Sequence, residues 1–189
     1  MTSGQNGRID LGLRDRVYLV TGGSRGLGFA AAQALVADGA RVLISAPHEA
    51  TAASAVARLT PGAARTGAGG SIVFVLASVR VPLAELAISN GLVPGLAGVV
   101  KTLAGELGPT GIRVNGVLPV RIATDRVREL DALRGDPDEV RARLSEHIPL
   151  RRYGEPEEFG RAAAFVLSPA ASYITGAMIP VDGGAISSI

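Results

Sequence analysis

The stretch "TGGSRGLG", Thr21 to Gly28, constrains this chain more than any other, because it sets glycines between a β-rich run and a helical one. The run before it, "RVYLVT" (Arg16 to Thr21), is apolar and β-branched, and "GFAAAQALVADG" after it has helical composition closed by Gly39. Gly22 is suited to a tight turn, Gly26 to a backbone that approaches a pyrophosphate, and Gly28 to close packing of helix on sheet. The helix start then offers unsatisfied N–H donors and partial positive charge to a phosphate. A flexible β-to-α connection would also use glycine. The strand before, the helix after and the glycine spacing together favour nucleotide binding.

Strand and helix signals alternate along the rest of the chain. "RVLIS" (Arg41 to Ser45) reads as a strand, "HEATAASAVARL" as a helix, and "TPGAARTGAGG" (Thr60 to Gly70) as a loop. The strand "SIVFVLAS", a helix from about Leu83 to Leu107, and the strand "IRVNGVLP" follow. "DPDEVRARLSEH" is a charged helical stretch, "EPEEFGRAAAFVLS" opens the last helix with a capping-type start, and "AMIPV" leads into "DGG". The strands are continuous apolar runs, as expected where helices cover both faces of a parallel sheet. The expected fold is therefore α/β, a Rossmann-type doubly wound parallel sheet, with residues 1–189 as a single domain. A formal charge of +2 is too small and dispersed to argue for nucleic acid. The absence of Cys excludes disulfides and thiol catalysis, and His48 and His147 are too far apart in sequence to suggest a metal site. No apolar run approaches the roughly 18 residues that span a bilayer, so a cytoplasmic protein with no membrane partner is expected.

At these residues the chain resembles the short-chain dehydrogenase/reductase family. Thr21, Gly22, Gly26 and Gly28 match its Thr-Gly-x-x-x-Gly-x-Gly fingerprint. "GIRVNGVLPVRIAT" is similar to its sixth strand and Pro-Gly-x-x-x-Thr segment, with Val120 replacing the usual glycine. "IPLRRYGEPEEFGRAAAFVLSPAASYITGAMIPVDGG" resembles the C-terminal segment of the 3-oxoacyl-carrier-protein-reductase-like branch. The resemblance implies an NAD(P)-dependent oxidoreductase acting on a carbonyl or secondary alcohol. It also implies coenzyme contacts at Gly22, Ser24, Arg25, Gly26, Leu27, Gly28, Ala46, Pro119, Ile122 and Thr124. Ala46 stands where NAD enzymes commonly place an acid, and Arg25 could reach a 2′-phosphate, which favours NADP(H) over NAD(H). Arg25 could equally be a solvated loop arginine. A homo-oligomer, dimer or tetramer, pairing through the long helix and last strand is implied, with a substrate-shaping loop from Ala123 to His147.

The family polarises its carbonyl with a Ser, transfers the proton from a Tyr, and lowers the Tyr pKa with a Lys four residues on. Ser78 matches the serine, but Ser89 occupies the Tyr position and Val93 the Lys position. An alkyl hydroxyl such as Ser89 can relay a proton and is a poor source of one. Tyr18, Tyr153 and Tyr173 read as structural and Lys101 as a surface lysine. Pro94 predicts a kink or restart in the long helix, and Gly91, Gly95 and Gly98 predict close backbone packing. Two functions remain open: an oxidoreductase with Ser78 as hydrogen-bond donor, or a catalytically impaired nucleotide-binding protein with a regulatory or partner role. The retained glycine turn makes a purely structural domain the least favoured.

The second departure is an interval. Only "TPGAARTGAGG" joins regions that the family separates by two further β–α units, about 60 residues including a central strand. Either the sheet closes in a shortened order, or the sequence joins segments that are not contiguous in the natural molecule. The unmodified flanks favour the second reading, and regular Cα spacing of about 3.8 Å through Thr60 to Gly70 would contradict it.

Overall fold

The computed structural model describes residues 10–45, 48, 54, 70–77 and 87–187. In chain order the described elements are β1 (Val17–Thr21), α1 (Gly26–Ala37), β2 (Arg41–Ser45), β3 (Gly70–Val75), α2 (Ala87–Leu107), β4 (Ile112–Pro119), α3 (Asp125–Ala132), α4 (Pro137–Ser145), α5 (Pro156–Leu167) and β5 (Met178–Val181). Every strand pairing is parallel. The charged stretch "DPDEVRARLSEH" forms α4, and α3 before it is a helix that the sequence reading did not mark. The predicted helix "HEATAASAVARL" and the expected first residues of the long helix fall outside the described residues.

Alternate residues of a strand face opposite sides of the sheet, and β4 fills both sides with apolar groups. Val117, beside Val73, Ile179 and Val181, packs among Phe159, Ala163 and Val166 of α5. Val114, beside Ile112, Phe74 and Met178, packs against Val100 and Ala104 of α2. Helices on opposite faces of a parallel sheet make this a Rossmann-type doubly wound fold, as the continuous apolar strands predicted.

The strands nevertheless form two sheets. β1 pairs with β2, and separately β3, β4 and β5 pair in that order, so among the described residues β1 and β3 each keep one unpaired edge. α5 lies under both: Ala164 and Leu167 pack with Tyr18 and Val20 of β1, while Ala163 and Val166 pack with Val73 of β3. A helix about 10 Å across covers roughly two strand spacings of about 4.8 Å. α5 therefore spans the interval between β1 and β3. On the side of the small sheet away from α5, Leu19 is 68% and Leu43 62% exposed. Among the described residues β1 and β3 do not pair, so there the sheet is not closed in a shortened order. The Cα spacings that bear on the other reading lie outside the described residues.

The ends of α5 are fixed by side chains. Glu158 Oε2 accepts from the Glu155 N–H at 2.7 Å, which is the return half of the expected capping start. At the other end the Arg113 guanidinium donates to the carbonyls of Val166 (2.9 Å), Leu167 (3.3 Å), Ser168 (2.9 Å) and Ile174 (3.1 Å). A cation suits the negative end of a helix, and only a planar fork reaches this many acceptors at once. Arg113→Met should keep the apolar stem and orphan these carbonyls, lowering stability by about 3 kcal/mol. Arg113→Lys should fall between the two in urea unfolding; a Met variant with an unchanged midpoint would contradict the assignment.

α2 departs from two expectations. It runs unbroken through Pro94, which sits on its exposed side where water can serve the freed carbonyl. Gly91, Gly95 and Gly98 make no close packing with the described residues, since no atom lies within 4 Å of where their Cβ atoms would stand. They share an outward apolar face with Ile88, Leu92, Leu96 and Val99, which are 79%, 64%, 41% and 44% exposed. The segment Ala87–Thr110 is also long and apolar enough to cross a membrane by length and composition, although the sequence showed no uninterrupted apolar run of that size.

Candidate nucleotide cleft

The first wall of the cleft is the glycine turn. Gly22 and Gly26 adopt φ of +67° and +56°, which side-chain-bearing residues rarely do. Beyond Gly22's own chain neighbours, no atom of the described residues lies within 4 Å of a Cβ built on it, and the positive φ is what calls for glycine there. At Gly28 the need is room, because a Cβ would stand 2.4 Å from the Gly22 carbonyl oxygen. Closing α1 onto that carbonyl aims the helix start outward. Arg25, the residue before α1, makes no side-chain cap, and Phe29 N–H makes the first helix-type bond, to Arg25 O at 3.3 Å. The N–H groups of Gly26, Leu27 and Gly28 thus have no carbonyl four residues back within the helix. Gly23 N–H reaches Ser45 O at 3.2 Å and ties the turn to the end of β2.

The second wall is the loop that follows β4. Val120 N–H bonds Val181 O at 3.4 Å, the chain turns through Arg121 at φ +54°, and Ile122 is buried. Thr124 then caps α3, its hydroxyl accepting from Val127 N–H at 3.4 Å. The two walls meet: a Cβ on Gly26 would stand 4.0 Å from Thr124 Cγ2, and Leu27 packs in the same cluster as Ile122. Gly26, Leu27, Ile122 and Thr124 are therefore neighbours at the carboxyl ends of the parallel strands, where open α/β sheets bind ligands. Ser24 is half-buried and Arg25 exposed on the turn, and Pro119 is half-buried where β4 ends. Ala46 lies outside the described residues.

α2 contributes little that can ionise. Ser89 and Val93 are half-buried and four residues apart, on the side that leads to buried Val100. At about 1.5 Å per helical residue and about 3.3 Å per strand residue, Ser89 stands as far from Val100 as Pro119 does from Val114. Since Val100 packs on Val114, Ser89 comes level with the end of β4. No side chain from Ala87 to Val100 titrates. Ser78 lies outside the described residues.

The chain's other phenols and its lysine are committed elsewhere. Tyr18 Oη donates to Leu167 O at 3.4 Å, and burial raises its pKa. Tyr153 is buried and donates to Asp131 Oδ2 at 2.9 Å; burial, then that bond, pushes its phenol up to about 12. Tyr173 is fully exposed. Lys101 Nζ donates to Gly176 O at 3.2 Å, just before β5 begins and at the opposite end of the strands from the glycine turn. It is thus a tether as well as a surface lysine. Sequence reading missed the role of Asp131, which is 2% exposed and also accepts from Arg121 Nη1 at 2.7 Å. Its partners are 10 and 22 residues away, a separation that no local pattern reveals.

The description short chain dehydrogenase matches residues 16–66, and Enoyl-(Acyl carrier protein) reductase matches residues 59–185. The short-chain reductase protein NovJ of Streptomyces niveus is 42% identical over 90 residues, covering 47% of this chain and 34% of that protein. The 3-oxoacyl-[acyl-carrier-protein] reductase FabG of Aquifex aeolicus is 43% identical over 90 residues, covering 48% of this chain and 34% of that one. The matched segments therefore span about a third of these relatives. Among solved structures, L-sorbose reductase from Gluconobacter frateurii, complexed with NADPH and L-sorbose, superposes with a TM-score of 0.83 at 22% identity, covering 96% of this chain and 100% of that one. At that identity the likeness concerns the fold.

Proposed function

This chain belongs to the short-chain dehydrogenase/reductase family, and on that premise we propose that residues 1–189 are one dinucleotide-binding domain of an oxidoreductase that uses NADP(H) on a carbonyl or secondary alcohol. The observation that carries the reading is the uncapped start of α1 opening beside Thr124. Backbone N–H groups of Ser24, Arg25, Gly26, Leu27 and Gly28 would hold the diphosphate, with Gly22 leaving the approach clear. Ile122 and Thr124 would flank the nicotinamide end, beyond Pro119. The space that the described residues leave over Gly22 and the left-handed backbone at Gly26 fit such a group. When bound, the nicotinamide supplies or takes up the hydride. Ser78 donates a hydrogen bond to the substrate oxygen, and Ser89 passes a proton between that oxygen and water. Ala46, in place of an acid, and the exposed Arg25 support a 2′-phosphate and hence NADP(H). The outward apolar face of α2 supports a homo-oligomer.

A second reading has one specific observation behind it. With Ser89 and Val93 in place of a phenol and an ammonium, α2 carries no titrating side chain from Ala87 to Val100, which favours a nucleotide-binding protein with a regulatory or partner role. Turnover of NADPH on a panel of small ketones, aldehydes and a 3-oxoacyl thioester separates the two. The first reading expects activity that Ser78→Ala reduces about a hundredfold. Activity untouched by that change would reject Ser78, and binding without turnover would select the second reading.

A further inference from the structure

Asp131 is the one carboxylate among the described residues that the fold buries almost completely, at 2% exposure. Placing a charge there costs several kcal/mol unless both oxygens are well served. Both are: Oδ1 accepts from Arg121 Nη1 at 2.7 Å and Oδ2 from Tyr153 Oη at 2.9 Å. The two donors come from different segments. Arg121 lies in the loop after β4, Tyr153 lies just before α5, and Asp131 itself ends the last turn of α3.

Arg121 is also one of three non-glycine residues with positive φ, at +54°. That conformation is strained for a residue with a side chain and persists only where the surroundings over-determine it. The surroundings do so here. Gly154 N–H donates to Arg121 O at 3.1 Å, Ala123 N–H donates to Gly154 O at 2.8 Å, and Ile122 bridges Gly154 in parallel. The Arg121 guanidinium lies 5.8 Å from the Tyr153 ring centroid, and that of Arg141 lies 5.2 Å from it. The loop held in this way is the one that delivers Ile122 and Thr124 to the glycine turn.

We infer that Asp131 is a positioning residue for the coenzyme wall of the cleft: through Arg121, and braced by Tyr153, it holds the Pro119–Thr124 loop in the shape that sets Thr124 beside Gly26. The inference rests on the coenzyme reading given above. Asp131 touches neither coenzyme nor substrate, and the dispersed sequence positions of the trio gave no sign of it.

The test is NADPH affinity, measured calorimetrically on the full chain beside thermal melting, for Asp131→Asn, Arg121→Gly and Arg121→Lys. Arg121→Gly suits the +54° backbone and should fold while losing the tether, so it carries the test if Asp131→Asn does not fold. Asp131→Asn and Arg121→Gly are expected to raise the Kd for NADPH on the order of tenfold, with Arg121→Lys recovering most of the affinity. A purely structural role would lower the melting temperature and leave the Kd of the folded protein unchanged. That result, in the presence of tight binding by the unsubstituted chain, overturns the inference alone. No binding by the unsubstituted chain overturns the coenzyme reading and takes this inference with it.

Discussion

Gly28→Ala is expected to raise the Kd for NADPH by about ten- to a hundredfold while leaving the chain folded. The added methyl would stand 2.4 Å from Gly22 O, 3.0 Å from Gly22 C and 3.2 Å from Gly23 Cα, all backbone atoms that cannot swing aside. Either the start of α1 moves away from the turn or the turn flattens, and overpacking of this kind costs about 1–3 kcal/mol. Both movements shift the N–H groups of Gly26 and Leu27 relative to the space over Gly22. Because a hydrogen bond to a charged group is worth about 1.5–3 kcal/mol, one misplaced donor accounts for most of the loss. Coenzyme affinity is the measurement, with circular dichroism as the check that the helices remain. Undiminished affinity would show that the turn does not hold the diphosphate.

Gly160→Ala should destabilise the fold by about 3 kcal/mol, at the upper end of what overpacking does. Gly160 lies in α5 where it crosses α1, and a Cβ there would stand 2.4 Å from Ala30 O and 2.7 Å from Ala30 C. In a continuous sheet some of that strain could be shared. Among the described residues β1–β2 and β3–β4–β5 share no strand pairing, and the packing of α5 on both joins them. Forcing α1 and α5 apart opens the clusters around Phe159 and Leu35 together. Gly105→Ala is the control: Gly105 lies in α2 with no atom of another described element within 4 Å of its Cβ position, and alanine there should be neutral or stabilising by up to about 1 kcal/mol. Equal unfolding midpoints for the two variants would contradict this account of how the sheets are joined.

The sequence was informative where a local rule governs a local shape. The turn from Thr21 to Gly28, the strand ending at Pro119 and the helix opening at Glu155 each carry their own signal in spacing or capping. Faces were legible too, since continuous apolar strands led to cover on both sides of β4. Split pairing was not legible: the short interval left a shortened closure and an interrupted sequence both open, and which edges meet depends on how α5 packs, a tertiary quantity. The role of Asp131 was not legible, because it depends on partners from two distant segments. The open surroundings of Gly91, Gly95 and Gly98 were misjudged for a related reason. Glycine spacing shows that close packing is allowed, and only a neighbour makes it happen.

The account depends on the open start of α1 holding a dinucleotide's diphosphate. Calorimetric titration of the unsubstituted chain with NADPH, and separately with NADH, measures this most directly. Saturable binding, tighter for NADPH, is the predicted result; no heat from either coenzyme at millimolar concentration would contradict it.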